Sequence, residues 1–254
     1  MSLTHFSLFS GIGGIDLAAE WAGFEPVGQC EFADYPTKVL EKNWPDVQRW
    51  RDVRDVTADS IRERGIRDIT LLSGGFPCQP HSLAGKRQAS DDERDLWGEY
   101  ARIICEVKPR WVLGENVTGL LSSEDGRFFG RVLRDLAGLG YSVGWSCYPA
   151  STVGALFQRS RVFIIACSHS YGLQGVVSEL FQTDESHIIK RPPSEDIGAA
   201  ISLWNGKITN TNGIRTGDGI PNWMDRIKCL GNSVVPQQVY PILKAIADIE
   251  KGLD

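Results

Sequence analysis

Cys78 stands in the run Gly74-Gly75-Phe76-Pro77-Cys78-Gln79-Pro80-His81-Ser82, directly after the apolar stretch Ile69-Thr70-Leu71-Leu72. That stretch reads as a buried strand ending in paired glycines, and the exit edge of such a strand is where open α/β sheets present reactive groups. Pro77 and Pro80 stiffen the loop on either side of the thiol, which favours a sulfur held up as a nucleophile. A free cysteine is more often a small buried hydrophobe, so the thiol alone does not settle the matter. Glu115-Asn116-Val117 closes another apolar run, Trp111 to Gly114, at the same expected edge. There a carboxylate serves either as a helix cap or as a proton donor beside a nucleophile. Gln158-Arg159-Ser160-Arg161 precedes the run Val162 to Cys167. Arg159 and Arg161 share one parity, so both point the same way if the extended form begins before them.

A second group of residues suits a ligand rather than a reaction. The first apolar run leads into Phe9-Ser10-Gly11-Ile12-Gly13-Gly14, and a helical pattern follows. Glycines let such a turn approach a ligand closely, and the helix start offers unpaired N–H groups. Glu31 follows at the end of the second apolar run, where an acid binds ribose hydroxyls. The spacing departs from G-x-G-x-x-G, because Asp16 holds the place of the last glycine. It therefore suits an adenosine-containing cofactor in general better than NAD. A structural tight turn would use the same glycines. Gly231-Asn232-Ser233-Val234-Val235-Pro236 reads as a polar loop, with Pro236 fit for the first turn of a closing helix.

The elements that must hold these residues alternate. Strands are expected at Phe6–Phe9, Val27–Glu31, Ile69–Ser73, Trp111–Gly114, Tyr141–Cys147 and Val162–Cys167. Helical periodicity marks Ile15–Ala22, Glu93–Val107, Phe128–Leu139 and Val235–Ile249. This order predicts an α/β fold with a mostly parallel, doubly wound sheet. After Ser168 the pattern breaks into a segment rich in Gly, Ser, Thr, Asn and Asp. The expected division is a catalytic and cofactor-binding domain over 1–168, a small irregular region over 169–225, and a segment over 226–254 that returns to the first.

The 254 residues suffice for one such domain, and 42% hydrophobic with 23% charged residues is ordinary for a globular chain. No apolar run approaches the roughly 20 residues that span a bilayer, and the first residues lack a secretory pattern. The six cysteines are irregularly spaced, with no Cys-x-x-Cys pair, which speaks against zinc or a disulfide framework and for a reducing cytoplasm. A net charge of −5 gives no support for a nucleic-acid partner by itself, although Arg49, Arg51, Arg54, Lys86, Arg87, Arg127, Arg131, Arg134, Lys190 and Arg191 form local basic clusters.

In this order the motifs resemble one family, the DNA cytosine carbon-5 methyltransferases, especially short bacterial or phage members. The matching segments are FSLFSGIGGIDLAAEWAGF at 6–24, Asp52-Val53, GGFPCQPHS at 74–82, ENV at 115–117, QRSRVFIIA at 158–166 and GNSVVP at 231–236. The resemblance implies a Rossmann-like class I methyltransferase, with 169–225 as target-recognition region. It implies methyl transfer from S-adenosyl-L-methionine to carbon 5 of a cytosine flipped out of double-stranded DNA. Cys78 would attack carbon 6 as a thiolate, although a free thiol of pKa about 8.5 is mostly protonated at neutral pH. Glu115 would donate to ring nitrogen 3, which needs its pKa raised from about 4.3. Arg161 would hold the 2-carbonyl, Arg159 would order the catalytic loop, and Pro77 and Asn116 would position the base.

For the cofactor, the resemblance assigns the turn Phe9, Ser10, Gly11, Ile12, Gly13 and Gly14, with Phe9 against the adenine. Glu31 would take the ribose, Phe32 would pack on the adenine, Asp52 and Val53 would fix its edge, and Asn232 and Val234 would hold the methionine end. It further implies a monomer, no metal and a place in restriction-modification. Three departures stand out: Ser7 where the family commonly has Asp, Phe157 where it has Gln, and a short recognition region. Alternatives are methylation of cytosine in tRNA, a catalytically inactive DNA-binding relative, and a cysteine hydrolase pairing Cys78 with His81.

Overall fold

Six apolar runs and the short segment Gln48–Trp50 become one sheet in the computed structural model, which describes residues 2–77, 96–155, 157–169 and 223–252. The strands are β1 (Leu3–Leu8), β2 (Phe24–Cys30), β3 (Gln48–Trp50), β4 (Leu71–Gly74), β5 (Trp111–Val117), β6 (Tyr141–Tyr148) and β7 (Arg161–Ser168). Their order is β3-β2-β1-β4-β5-β7-β6. All neighbouring pairs among β1 to β5 are parallel, and β7 runs antiparallel to both β5 and β6. The reversal follows from the link between β6 and β7, which carries only a short 3-10 turn, Ala150–Val153, where a parallel crossover would need a helix.

Alternate residues of each strand feed two cores. Phe6, Leu72, Val112 and Ile164 face α3 (Ala58–Glu63), α4 (Trp97–Val107) and α5 (Arg127–Gly138). Leu71, Trp111, Leu113 and Phe163 face α1 (Gly14–Ala22) and the closing helix α7 (Pro236–Glu250). Each helix earns its place by an apolar stripe at three- and four-residue spacing: Trp97, Tyr100, Ile103 and Ile104 on α4, and Val239, Leu243, Ile246 and Ala247 on α7. Burial on both faces explains the near-continuous apolar strands. Among the described residues no helix is long and apolar enough to cross a membrane, and no group of three His, Cys, Asp or Glu side chains could hold a metal ion.

Six expected strands and four expected helices are present with ends shifted by a few residues. Four described strands and α-helices are absent from the expected set: β3, α2 (Asp34–Asn43), α3 and α6 (Trp223–Asn232). β3 is three residues of Gln-Arg-Trp at the sheet margin, too short for any alternation to show. One expectation is corrected: Gly231 and Asn232 do not open a loop but finish α6 (Trp223–Asn232), so the loop is only Ser233 to Val235.

Candidate active site

The C-terminal ends of β1 to β5 and the start of the antiparallel β7 meet at one edge of the sheet, and that edge carries the described candidate residues. Its first half is built from backbone. β1 leaves the sheet through Phe9, Gly11 and Gly13, all with positive φ, before α1 begins. Phe9 packs edge-on to Tyr100, with ring centroids 6.3 Å apart. Ser10 N–H donates to the Cys30 carbonyl at 3.0 Å, and Gly13 N–H donates to the Ser10 carbonyl at 2.9 Å. Glycine is required at two places here. A Cβ on Gly13 would stand 2.3 Å from the Trp44 ring, and one on Gly14 would stand 2.8 Å from the Val234 carbonyl. The turn is thus pressed between α2 and the Ser233–Val235 loop, which brings Gly14 and buried Val234 together.

Glu31 closes this half. Its Oε2 accepts from Gly11 N–H at 2.8 Å and its Oε1 from Ala33 N–H at 2.8 Å. Each oxygen keeps a lone pair for a further donor such as a ribose hydroxyl. Phe32 beside it is 76% exposed, a bare aromatic face at the rim. Asp52 caps the turn Val53–Asp55 by accepting from Arg54 N–H, and Val53 is buried beneath it. Asn232 is exposed at the end of α6. An adenosine-containing cofactor fits these groups: a tight glycine turn with open space beside Gly11, an acid with free lone pairs and an open aromatic surface.

The second half is built from buried side chains. Glu115 and Arg161 come from β5 and β7 at diagonal register positions, because Val117 pairs with Arg161 and Glu115 with Phe163. Both are buried, and Arg161 Nε lies 2.8 Å from Glu115 Oε1. The contact is close but poorly aligned, so Oε1 lacks a directed hydrogen bond among the described residues. Burial pushes the Glu115 carboxyl above its ordinary range, against the opposing pull of Arg161 and then Arg159. Gly75 approaches so closely that a Cβ there would sit 2.9 Å from Glu115 Oε2, which explains the second glycine of the pair after β4.

Asn116 ties this half to the loop that leads to Cys78. Its side-chain amide donates to the Phe76 carbonyl at 2.9 Å, while its Oδ1 accepts from Val117 N–H. Phe76 is itself locked against Trp97 and Tyr100. The loop is therefore anchored one residue before Pro77 and two before Cys78. Pro77 is exposed at the end of that anchor, and Cys78 with His81 lies outside the described residues.

The parity expected for the two arginines does not hold. The extended form begins only at Arg161, and Arg159 sits at φ 32. Its guanidinium turns to the other side and donates to the carbonyls of Gly231, at 2.7 Å, and Ser233. Gln238 of α7, fully buried, donates to the Tyr148 and Arg159 carbonyls and fastens the same corner. Nothing in the sequence singled Gln238 out, because an amide in a helix has no pattern of its own. An open groove of about 570 Å³ lies at the opposite edge, near Thr4, Glu25, Gln48 and Arg67, and contains none of the candidate residues.

Comparison with known proteins places this arrangement. A family model described as C-5 cytosine-specific DNA methylase matches residues 3–216. The Type II methyltransferase M.NgoMIV of Neisseria gonorrhoeae is 34% identical over 171 residues, 67% of this chain and 54% of that protein. M.PspPI of Psychrobacter sp. strain TA137, also a Type II methyltransferase, is 40% identical over 166 residues, 65% and 39% of the two chains. The chain thus spans about half or less of these relatives. Among solved structures, a proposed DNA modification methyltransferase encoded within an E. coli prophage aligns with TM-score 0.60 at 28% identity, covering 67% of this chain and 48% of that one. The Dnmt2 methyltransferase of S. pombe shares the fold, with TM-score 0.53 at 23% identity over 65% of this chain and 51% of its own. The architecture is the Rossmann-like class I methyltransferase fold.

Proposed function

The chain belongs to the C-5 cytosine-specific DNA methylase family, and from that premise we propose that it transfers a methyl group to carbon 5 of a cytosine in double-stranded DNA through a covalent Cys78 adduct. The observation that carries this reading is the buried Glu115–Arg161 pair set against Gly75, in the loop that Asn116 anchors just before Cys78. Cytosine carbon 5 is a weak nucleophile. Addition of a thiolate to carbon 6 forms a carbon–sulfur bond and converts the ring to an enamine, whose carbon 5 is nucleophilic. Burial raises the Glu115 pKa and so favours the protonated form, which would donate to ring nitrogen 3 and draw electrons from carbon 6. Arg161 donates toward the 2-carbonyl. Once carbon 5 has bonded to the methyl group that the bound donor would supply, loss of its proton to solvent breaks the carbon–sulfur bond, releases the thiolate and restores the ring.

S-adenosyl-L-methionine is the proposed donor, and when bound it supplies an electrophilic methyl group. Phe9 to Gly14, Glu31, Phe32, Asp52, Val53, Asn232 and Val234 are the residues proposed to hold it. The base reaches Cys78 only after leaving the helix stack, at a cost of a few kcal/mol. We read 169–225 as the target-recognition region, 1–168 as the catalytic domain and 226–254 as its returning segment. Modification of DNA alongside a restriction enzyme, the role that the Type II names of its relatives denote, is the proposed setting, with the protein acting as a cytoplasmic monomer.

Incubation with radiolabelled S-adenosyl-L-methionine and, in parallel, duplex DNA or bulk tRNA tests the substrate. Label in DNA is expected. Label in tRNA alone refutes the DNA reading. Bisulfite sequencing of DNA from expressing cells then gives the modified base and its context.

A further inference from the structure

Beneath the glycine turn lies a buried carboxylate that no step above uses. Asp16 stands in the first turn of α1 and is completely buried. Its Oδ1 accepts two hydrogen bonds, from Ser7 Oγ at 2.8 Å and from Gln29 Nε2 at 3.0 Å, while its Oδ2 is buried without a partner among the described residues. Ser7 Oγ donates to Asp16 Oδ1, so its one proton is committed there. Ser10 is then the donor in the 2.6 Å contact between Ser7 Oγ and Ser10 Oγ, and its hydroxyl also lies 3.2 and 3.3 Å from the Ser7 and Cys30 carbonyls. The chain has one direction, Ser10 to Ser7 to Asp16, and Ser10 is the second residue of the turn.

A second arm reaches the turn from the other side. Gln29 accepts from Arg49 Nε at 3.0 Å through its own Oε1. Arg49 in turn donates to the carbonyls of Leu40, at 3.0 Å, and Trp44 at the end of α2. Leu40 and Trp44 are the side chains against which Gly13 is pressed, with 3.1 and 2.3 Å left for a Cβ. Both arms therefore start at one carboxylate and end on the turn, one at Ser10 and one at Gly13.

We propose that Asp16 is the positioning residue of the cofactor turn: it touches no ligand, and it fixes Ser10 and Gly13 in the shape that binds S-adenosyl-L-methionine. The proposal rests on reading that turn as the cofactor site. A buried acceptor that serves two polar arms holds one geometry, because any slip strands a desolvated donor. With Oδ2 unpartnered among the described residues, Oδ1 alone anchors both arms.

The test uses the full chain and S-adenosyl-L-homocysteine as probe, with calorimetry for affinity, thermal unfolding for the fold, and kcat at saturating cofactor. Asp16→Asn keeps the shape and removes the charge. It should weaken probe binding about fivefold to tenfold, while kcat stays within about threefold and the unfolding transition remains cooperative. Ser7→Asp and Asp16→Ser should each weaken binding by themselves. The double variant Ser7→Asp/Asp16→Ser moves the carboxylate across the same hydrogen bond and should recover most of the lost affinity, a coupling that simple loss of stability does not produce. Gln29 is the register partner of position 7, so its amide remains in reach after the swap.

Unchanged affinity in folded Asp16→Asn overturns the proposal, as does a folded double variant that recovers nothing. Should the double variant not fold, Asp16→Asn alone decides. A wild-type chain that fails to bind the probe sinks the cofactor reading itself. A wild-type chain that binds, with variants that bind equally well, sinks only the role of Asp16.

Discussion

The two halves of the site are held by different physics. From β1 to β3 the proposed cofactor surface is shaped mainly by backbone: a turn with three positive-φ residues, N–H groups satisfied by Glu31, and glycines pressed against Trp44 and Val234. From β4 to β7 it is side chain: a buried acid, a buried guanidinium and an amide that pins a loop. The glycine contacts of this half carry no titratable proton, so their fit is set by steric room. A buried acid beside a guanidinium is sensitive to its own protonation, because its energy depends on charge in a desolvated place. The cofactor half should therefore fail through geometry and the catalytic half through protonation.

Four variants separate the halves, ordered by expected effect. Cys78→Ser should abolish turnover, since an alcohol of far higher pKa replaces the thiol, while calorimetry with S-adenosyl-L-homocysteine shows ordinary affinity. Lost affinity in that variant would break the division at once. Glu115→Gln should lower kcat by roughly 10²- to 10⁴-fold, the usual worth of a positioned proton donor, again with cofactor affinity kept. Gly13→Ala should do the reverse. Forcing a side chain into φ +84 against Trp44 costs about 1–2 kcal/mol before the clash, so probe affinity and unfolding temperature fall while Glu115 keeps its pH response. Asn116→Ala strands the Phe76 carbonyl and Val117 N–H, costing about 1–3 kcal/mol, and should reduce kcat more than it raises the cofactor KM.

Protonation gives the comparison a direction. Glu115 in the folded protein titrates above its ordinary value of 4.5, because burial disfavours the charged form more than Arg161 and Arg159 favour it. Its contribution to stability is thus fully present below 4.5 and is lost as pH rises through the raised value. Unfolding temperatures of wild type and Glu115→Gln, measured across that window, should converge or cross toward the variant as pH rises. The same rise should reduce wild-type turnover while leaving cofactor affinity flat. A gap that widens in favour of wild type instead would reverse the assigned sign.

Much of this was legible in the residues, for reasons the structure makes plain. Apolar runs such as Leu71–Leu72 and Trp111–Leu113 are buried on both faces, so their position in the sheet shows without any alternation. The glycines at 13, 14 and 75 could be flagged as special, yet their reasons lie in Trp44, Val234 and Glu115, residues 30 to more than 200 positions away or on another strand. Sequence distance hid those contacts. Shared parity aligns Arg159 with Arg161 only in extended backbone, and the φ of 32 at Arg159 removes that condition. β3, α2 and α3 escaped notice because short or polar elements carry too few turns for periodicity to register. Asp16 appeared only as a missing glycine, and its buried role required the coordinates of Ser7 and Gln29.

The central claim is a carbon–sulfur bond between Cys78 and carbon 6 of an extruded cytosine. Duplex DNA of mixed sequence carrying 5-fluorocytosine tests it most directly, because fluorine cannot leave carbon 5 as a proton does and the adduct persists. With S-adenosyl-L-methionine present, peptide mass spectrometry should find the nucleotide on Cys78 alone, and Cys78→Ser should carry none. An adduct on another residue, or methylated DNA formed by Cys78→Ser, would contradict the account.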